Sequence, residues 1–344
     1  MKTILNNICV VVISRGREDI LKRCIGYWEN LGVQLVVVHK SDSPIDSELL
    51  STNVTYIQHQ GSFSERCGIA AQNLKGEFSI LASDDELYLP SGLIALAHHL
   101  KSNPHESSVG GQALALLKYG FRHQVVQTYS DMKDYSNSSE DAEKRLEYNF
   151  IERSLKRNSG AMYRMYPTGQ MENFLELLNS LRGISCPYIF EVTAEIYWTL
   201  IGSSTYINEV FWIRNWIEPP LQRTDWNRKL YFFEWFKSEK FQDEVSEWIQ
   251  ILRNSVEINL SKLINHELIE LVFQKREIEE KSEIAKVGKI SRLGDRKLGL
   301  ILRDLYSLIR RIPTIEETIQ QVQRNGLGVN LEEVNIALRT MTRK

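Results

Sequence analysis

Asp84, Asp85 and Glu86 stand in a row directly after a short apolar run, residues 78–82 (FSILA). Three carboxylates held side by side repel one another. A divalent cation would relieve that repulsion, and hard oxygen donors suit Mg2+ or Mn2+. The plainer alternative is a solvated acidic loop before the next helix. Arg15 and Arg17 follow one upstream apolar run, and Lys40 and Asp42 follow another. Basic and polar loop residues flanking a bound cation can hold a diphosphate and a base. Surface solvation is the simpler reading for each basic residue alone. Glu191 and Glu195 are four residues apart, which puts them on one face of a helix. One carboxylate near an acceptor hydroxyl can take its proton, whereas a solvated pair does nothing of the kind.

The elements that must position these groups are written in the hydrophobic pattern. Residues 8–13 (ICVVVI), 35–38 (LVVV) and 78–82 are apolar runs without alternation, as strands covered on both faces are; residues 54–58 form a weaker strand. Between them, Ile20, Leu21, Cys24, Tyr27, Trp28 and Leu31 recur at helical spacing up to Gly32. A second helix begins at Ser62 or Ser64 and stops by Gly76. Strand and helix alternate over short connections, so the expected fold is α/β with a mostly parallel sheet flanked by helices. In such a sheet ligands bind at the carboxyl ends of the strands, where all the candidates of residues 14–86 fall. The chain has neither a GxGxxG nor a GxxxxGK[ST] motif.

Residues 8–90 resemble the nucleotide-sugar-binding half of the GT-A-fold, family-2-type inverting glycosyltransferases. That family's first strand ends in a polar turn with Asn-Arg, similar to Ser14–Arg17, and its second ends in a base-contacting acid, matched by Asp42. Its middle helix opens Ala-Arg-Asn, similar to Glu65-Arg66-Cys67. Its metal motif, Leu-Asp-x-Asp-Asp, is similar to Leu81-Ala82-Ser83-Asp84-Asp85. Leu89-Pro90, Asn103-Pro104 and Val109-Gly110-Gly111 follow in the family's order. The ordered set covers roughly the first two thirds of the chain, although no single motif is specific. Ala82 and Cys67 depart from the pattern, and Trp216 stands where the family often has a metal-binding His.

The resemblance implies an inverting, metal-assisted transferase. Its donor would be a nucleotide sugar contacted by Ser14, Arg17, Asp42, Arg66, Ser83 and Asp84. Mg2+ or Mn2+ would sit on Asp84 and Asp85, and a glycan or lipid-linked acceptor would be deprotonated by Glu191 or, second, Glu195. Bacterial surface-polysaccharide assembly is that family's commonest setting. The competing function is a catalytically silent nucleotide-sugar-binding or scaffold protein, which Ala82 and Trp216 favour.

The remaining composition bounds the picture. A net charge of −2 argues against a nucleic-acid binder, and four cysteines without CxxC spacing argue against a zinc or disulfide framework and fit a reducing cytoplasm. From residue 230 helical periodicity takes over, so residues 1–228 read as the GT-A-like domain and 229–344 as a helical domain. Residues 281–311 carry nine Lys or Arg against three Asp or Glu, with apolar residues interleaved. Such a segment suits peripheral contact with an anionic membrane, or packing against the sheet domain or a second subunit of a homo-oligomer.

Overall fold

The computed structural model describes residues 2–43, 45, 50–119, 122–128, 161–186, 188–215, 234–256 and 313–342 of the chain, with residues 261, 264, 267 and 270. A short helix α1 (Lys2–Leu5) leads into β1 (Ile8–Arg15), followed by α2 (Glu18–Leu31), β2 (Gln34–Lys40) and β3 (Val54–Gln58). Next come α3 (Phe63–Ala71), β4 (Phe78–Ala82), β5 (Leu87–Tyr88) and α4 (Pro90–Ser102). The hairpin β6 (Glu106–Tyr119) and β7 (Arg122–Thr128) precedes β8 (Met165–Pro167), α5 (Thr168–Ser180), α6 (Ile189–Leu200) and β9 (Ser203–Asn215). The described carboxyl-terminal helices are α7 (Gln242–Asn254), α8 (Ile315–Arg324) and α9 (Leu331–Thr342).

The strands form one sheet in the order β3-β2-β1-β4-β8-β6-β9-β5, with β7 on β6. The expectation of a mostly parallel sheet needs correction. β3, β2, β1 and β4 run parallel and so do β6 and β9, but β4–β8, β6–β8, β6–β7 and β5–β9 are antiparallel. The physical reason is β8: three residues returning beside β4 reverse the direction without a helical crossover.

Side-chain alternation along the central strands sends residues into two cores. Cys9, Val11, Val36, Val38 and Leu81 face α3, α5, α6 and α7, where Phe174, Trp198 and Trp248 pack. Ile8, Val10, Val12, Leu35, Val37 and Ile80 face α2, α4, α8 and α9. The helices after residue 230 therefore complete both layers: Trp248 belongs to the first core, and Val322, Val334 and Leu338 belong to the second. The Glu333 carboxylate of α9 also accepts from the Ser91 amide (3.0 Å) and hydroxyl (2.6 Å), at the start of α4. Negative charge belongs there, because helix amino termini expose unpaired N–H groups.

Of the two candidate serines, Ser62 caps α3, in a reciprocal pair with Glu65. The helix stops at Ala71 and not at Gly76, whose positive φ of 87° instead serves a close approach to Asn7. Residues 145–157, whose apolar residues recur at helical spacing, and the basic stretch 281–311 lie outside the described residues. So does the 228/229 boundary. Among the described residues no helix is long and apolar enough to cross a membrane.

Candidate functional site

The sheet's winding reverses between β1 and β4. From β1 the chain steps outward to β2 and β3, then crosses back to place β4 on the other side of β1. At such a switch point the connections leave in opposite directions and open a crevice at the carboxyl ends of the strands. The register pairs Val12 with Ala82, so two residues further on Ser14 comes beside Asp84. There the Ser14 hydroxyl donates to Asp84 Oδ2 at 2.6 Å.

Arg17 reaches the same carboxylate by an unusual backbone path. Gly16 and Arg17 are both left-handed, at φ 62° and 58°, and Arg17 is the one described non-glycine residue with positive φ. This conformation costs an L-residue about 1 kcal/mol. The turn is tied down by the Gly16 amide, which donates to the Lys40 carbonyl at 2.9 Å. It aims the guanidinium at both aspartates. Nη2 donates to Asp84 Oδ1, Nε to Asp84 Oδ2 at 3.4 Å, and Nη1 to Asp85 Oδ2 at 2.8 Å. Asp84 is buried, while the Arg17 side chain keeps 20% of its surface exposed.

Glu86 turns the other way. Its carboxylate accepts from Trp212 Nε1 (3.0 Å) and Arg214 Nε (3.2 Å), on β9. Burial pushes its pKa up to about 7 and Asp85 adds to the rise; the Arg214 charge and the two hydrogen bonds hold it back. The Arg214 guanidinium lies over the Trp212 ring at 4.6 Å, and Trp212 in turn packs 4.6 Å from the Tyr163 ring. The Tyr163 phenol lies beside Ser83. It is driven well above its ordinary pKa by burial first, then by the charges of Glu86 and Glu191.

Glu191 acts on that phenol through its charge. It is exposed in the first turn of α6, whose Phe190 packs edge-on against Phe63 of α3 at 4.9 Å. Glu195 lies one turn further along α6, and its side chain is outside the described residues. Arg66 is buried and braces the site from below, donating to the Ser14 carbonyl and, at 3.3 Å, to the Ser62 carbonyl. Asp42 is exposed just past β2 and takes no part in these hydrogen bonds. Ser14, Arg17, Arg66, Asp84 and Asp85 are thus joined by hydrogen bonds at the carboxyl ends of β1 and β4. The pattern reading marks Tyr163 only as part of an aromatic and basic stretch, residues 163–167, and it does not find the Arg17 ion pairs or the Glu86–Trp212–Arg214 cluster. The one signal for the last was Arg214 at a strand end.

The acidic row is therefore divided between two arginines. A small divalent ion wants about six oxygen ligands in regular geometry. Among the described residues no three His, Cys, Asp or Glu side chains converge to hold one. Both aspartates already accept from Arg17, and Asp84 also from Ser14. As arranged, the donor set does not fit a divalent cation. Trp216 lies outside the described residues.

A scan against family models gives no match, and neither does a search of curated protein sequences. Among solved structures, the chain is similar to Staphylococcus aureus TarS at TM-score 0.37 and 12% identity, over 80% of this chain and 54% of that one. Against TarS 1–349 the TM-score is 0.39 at 13% identity, over 82% of this chain and 92% of that one. The chain thus spans about half of the longer TarS chain and nearly all of the shorter. Overlap at that level says nothing about chemistry, for which only the side chains of the crevice speak. What fold and site define is a mixed α/β protein with a charged, hydrogen-bonded cluster at its topological switch point.

Proposed function

We propose that the chain is an inverting glycosyltransferase. A nucleotide-diphosphate sugar would bind over the carboxyl ends of β1, β2 and β4, and its sugar would pass to a glycan or lipid-linked acceptor. The observation that carries this reading is the position of the charged groups. Guanidinium and carboxylate groups sit at the switch point between β1 and β4, and Glu191, exposed at the start of α6, acts through its charge on Tyr163. Open α/β sheets bind nucleotides at that point. The exposed Asp42 just past β2 is available to a base, and the open part of the Arg17 side chain to the diphosphate.

In one displacement the acceptor oxygen attacks the anomeric carbon from the side of Glu191. The bond from that carbon to the diphosphate oxygen breaks, and the nucleoside diphosphate leaves with the electron pair. Glu191 takes the hydroxyl proton, and attack opposite the leaving group inverts the configuration. The test is nucleoside-diphosphate release from a panel of nucleotide sugars with glycan acceptors. Glu191→Gln should lower turnover by about a hundredfold while leaving donor affinity unchanged. Full turnover in that variant would remove Glu191 from the reaction.

A further inference from the structure

The acidic pair at the end of β4 is already neutralised from within the chain. Asp84 and Asp85 share the guanidinium of Arg17, which bonds them through three of its N–H groups. A guanidinium has five N–H groups. Three are spent, so two remain for a ligand, on a side chain with 20% of its surface open. The arrangement is built rather than incidental. Arg17 is held in a left-handed conformation that ordinary residues avoid, and that conformation turns its side chain from the α2 helix onto β4. Ser14 donates to Asp84 from the other side, so both oxygens of that carboxylate already accept from fixed protein donors. A metal ion bound by the pair would have to compete with the guanidinium for their oxygens and would bring a second positive charge beside it.

We infer that this site works without a divalent ion, and that Arg17, locked on Asp84 and Asp85, is the cation that meets the donor's diphosphate. A planar fork with two open N–H groups can take phosphate oxygens while its other edge stays on the aspartates. The aspartates then orient the arginine instead of coordinating metal. This holds for the diphosphate only if the nucleotide-sugar reading is right, whereas the exclusion of metal does not depend on it.

The test uses the full chain, as wild type, Arg17→Gly and Arg17→Lys. Glycine adopts the left-handed conformation without strain, so Arg17→Gly removes the guanidinium and keeps the turn. Thermal melts establish that each variant is folded. Mn2+ alone is titrated and followed by electron paramagnetic resonance. Wild type should bind none, and Arg17→Gly should bind an ion that is lost again when Asp84→Asn is added. Mn2+ bound by wild type and lost in Asp84→Asn overturns the inference; so does absence of bound Mn2+ in both proteins, because Arg17 then holds no ion's place. A second arm titrates UDP and GDP calorimetrically in EDTA and in Mn2+. Wild-type affinity should be the same in both, and Arg17→Gly should lose about tenfold or more in EDTA, roughly one charge-assisted hydrogen bond. Arg17→Lys should recover only part, since an ammonium cannot span both aspartates and a phosphate. A tenfold gain by wild type in Mn2+ overturns the inference. If neither nucleotide binds under any condition, the nucleotide-sugar reading falls, and the resonance arm still decides whether Arg17 excludes the ion.

Discussion

The coupling between Arg17 and Asp84 can be worked out as a double-mutant cycle. Asp84 is 6% exposed and accepts from Ser14 as well as from Arg17. Removing one partner of a fully buried ion pair costs about 3–5 kcal/mol. Arg17 keeps Asp85 and a fifth of its surface in water, so Asp84→Asn should cost about 2–3 kcal/mol. Arg17→Gly strands the same carboxylate but relieves about 1 kcal/mol of left-handed strain, for a net cost of about 2 kcal/mol. Once either partner is gone, losing the other matters less. The double variant should therefore cost about 3 kcal/mol, and the coupling energy is about 1.5 kcal/mol. Urea unfolding followed by the fluorescence of the seven tryptophans measures all three midpoints. Additivity within about 0.5 kcal/mol would show that the ion pair does not organise the turn.

Two further outcomes follow from the same geometry. Glu86 has its pKa raised from 4.5 to about 7, so between those values the folded protein holds a proton that the unfolded chain releases. Its contribution is most favourable below about pH 4.5 and is lost as pH rises through about 7, a span of about 3 kcal/mol. Unfolding at pH 5 and pH 8 should show wild type losing more stability than Glu86→Gln; an equal loss would refute the burial. Gly76→Ala should destabilise by about 2 kcal/mol or more, because its φ is 87° and an added Cβ would lie 2.5 Å from the Asn7 carbonyl oxygen. Thermal melts check it, and an unchanged midpoint would contradict the close approach.

The parallel half of the sheet was legible because its strands are uniformly apolar. ICVVVI, LVVV and FSILA can only be covered on both faces, and the polar turns after them had to fall at their carboxyl ends. The antiparallel half was not, since its reversal rests on three residues, Met165–Pro167, with no periodicity to read. Nor was the full extent of β6, 14 residues from Glu106 to Tyr119. At the site, residue types were readable and partners were not. Arg17 and Asp84 are 67 positions apart, and Glu86 and Arg214 are 128 apart. Three adjacent carboxylates suggest a shared cation on charge alone. Only the fold reveals that a strained turn and a distant strand each deliver an arginine.

The most direct measurement is calorimetric titration of the full chain with UDP, GDP, ADP and CMP and their common sugar conjugates. At least one nucleoside diphosphate should bind in the micromolar range usual for enzyme substrates, with Arg17→Gly weakening it about tenfold or more and Glu191→Gln leaving it unchanged. If none of these ligands binds, or if the one that binds is indifferent to Arg17, the crevice between β1 and β4 is not a nucleotide-sugar site.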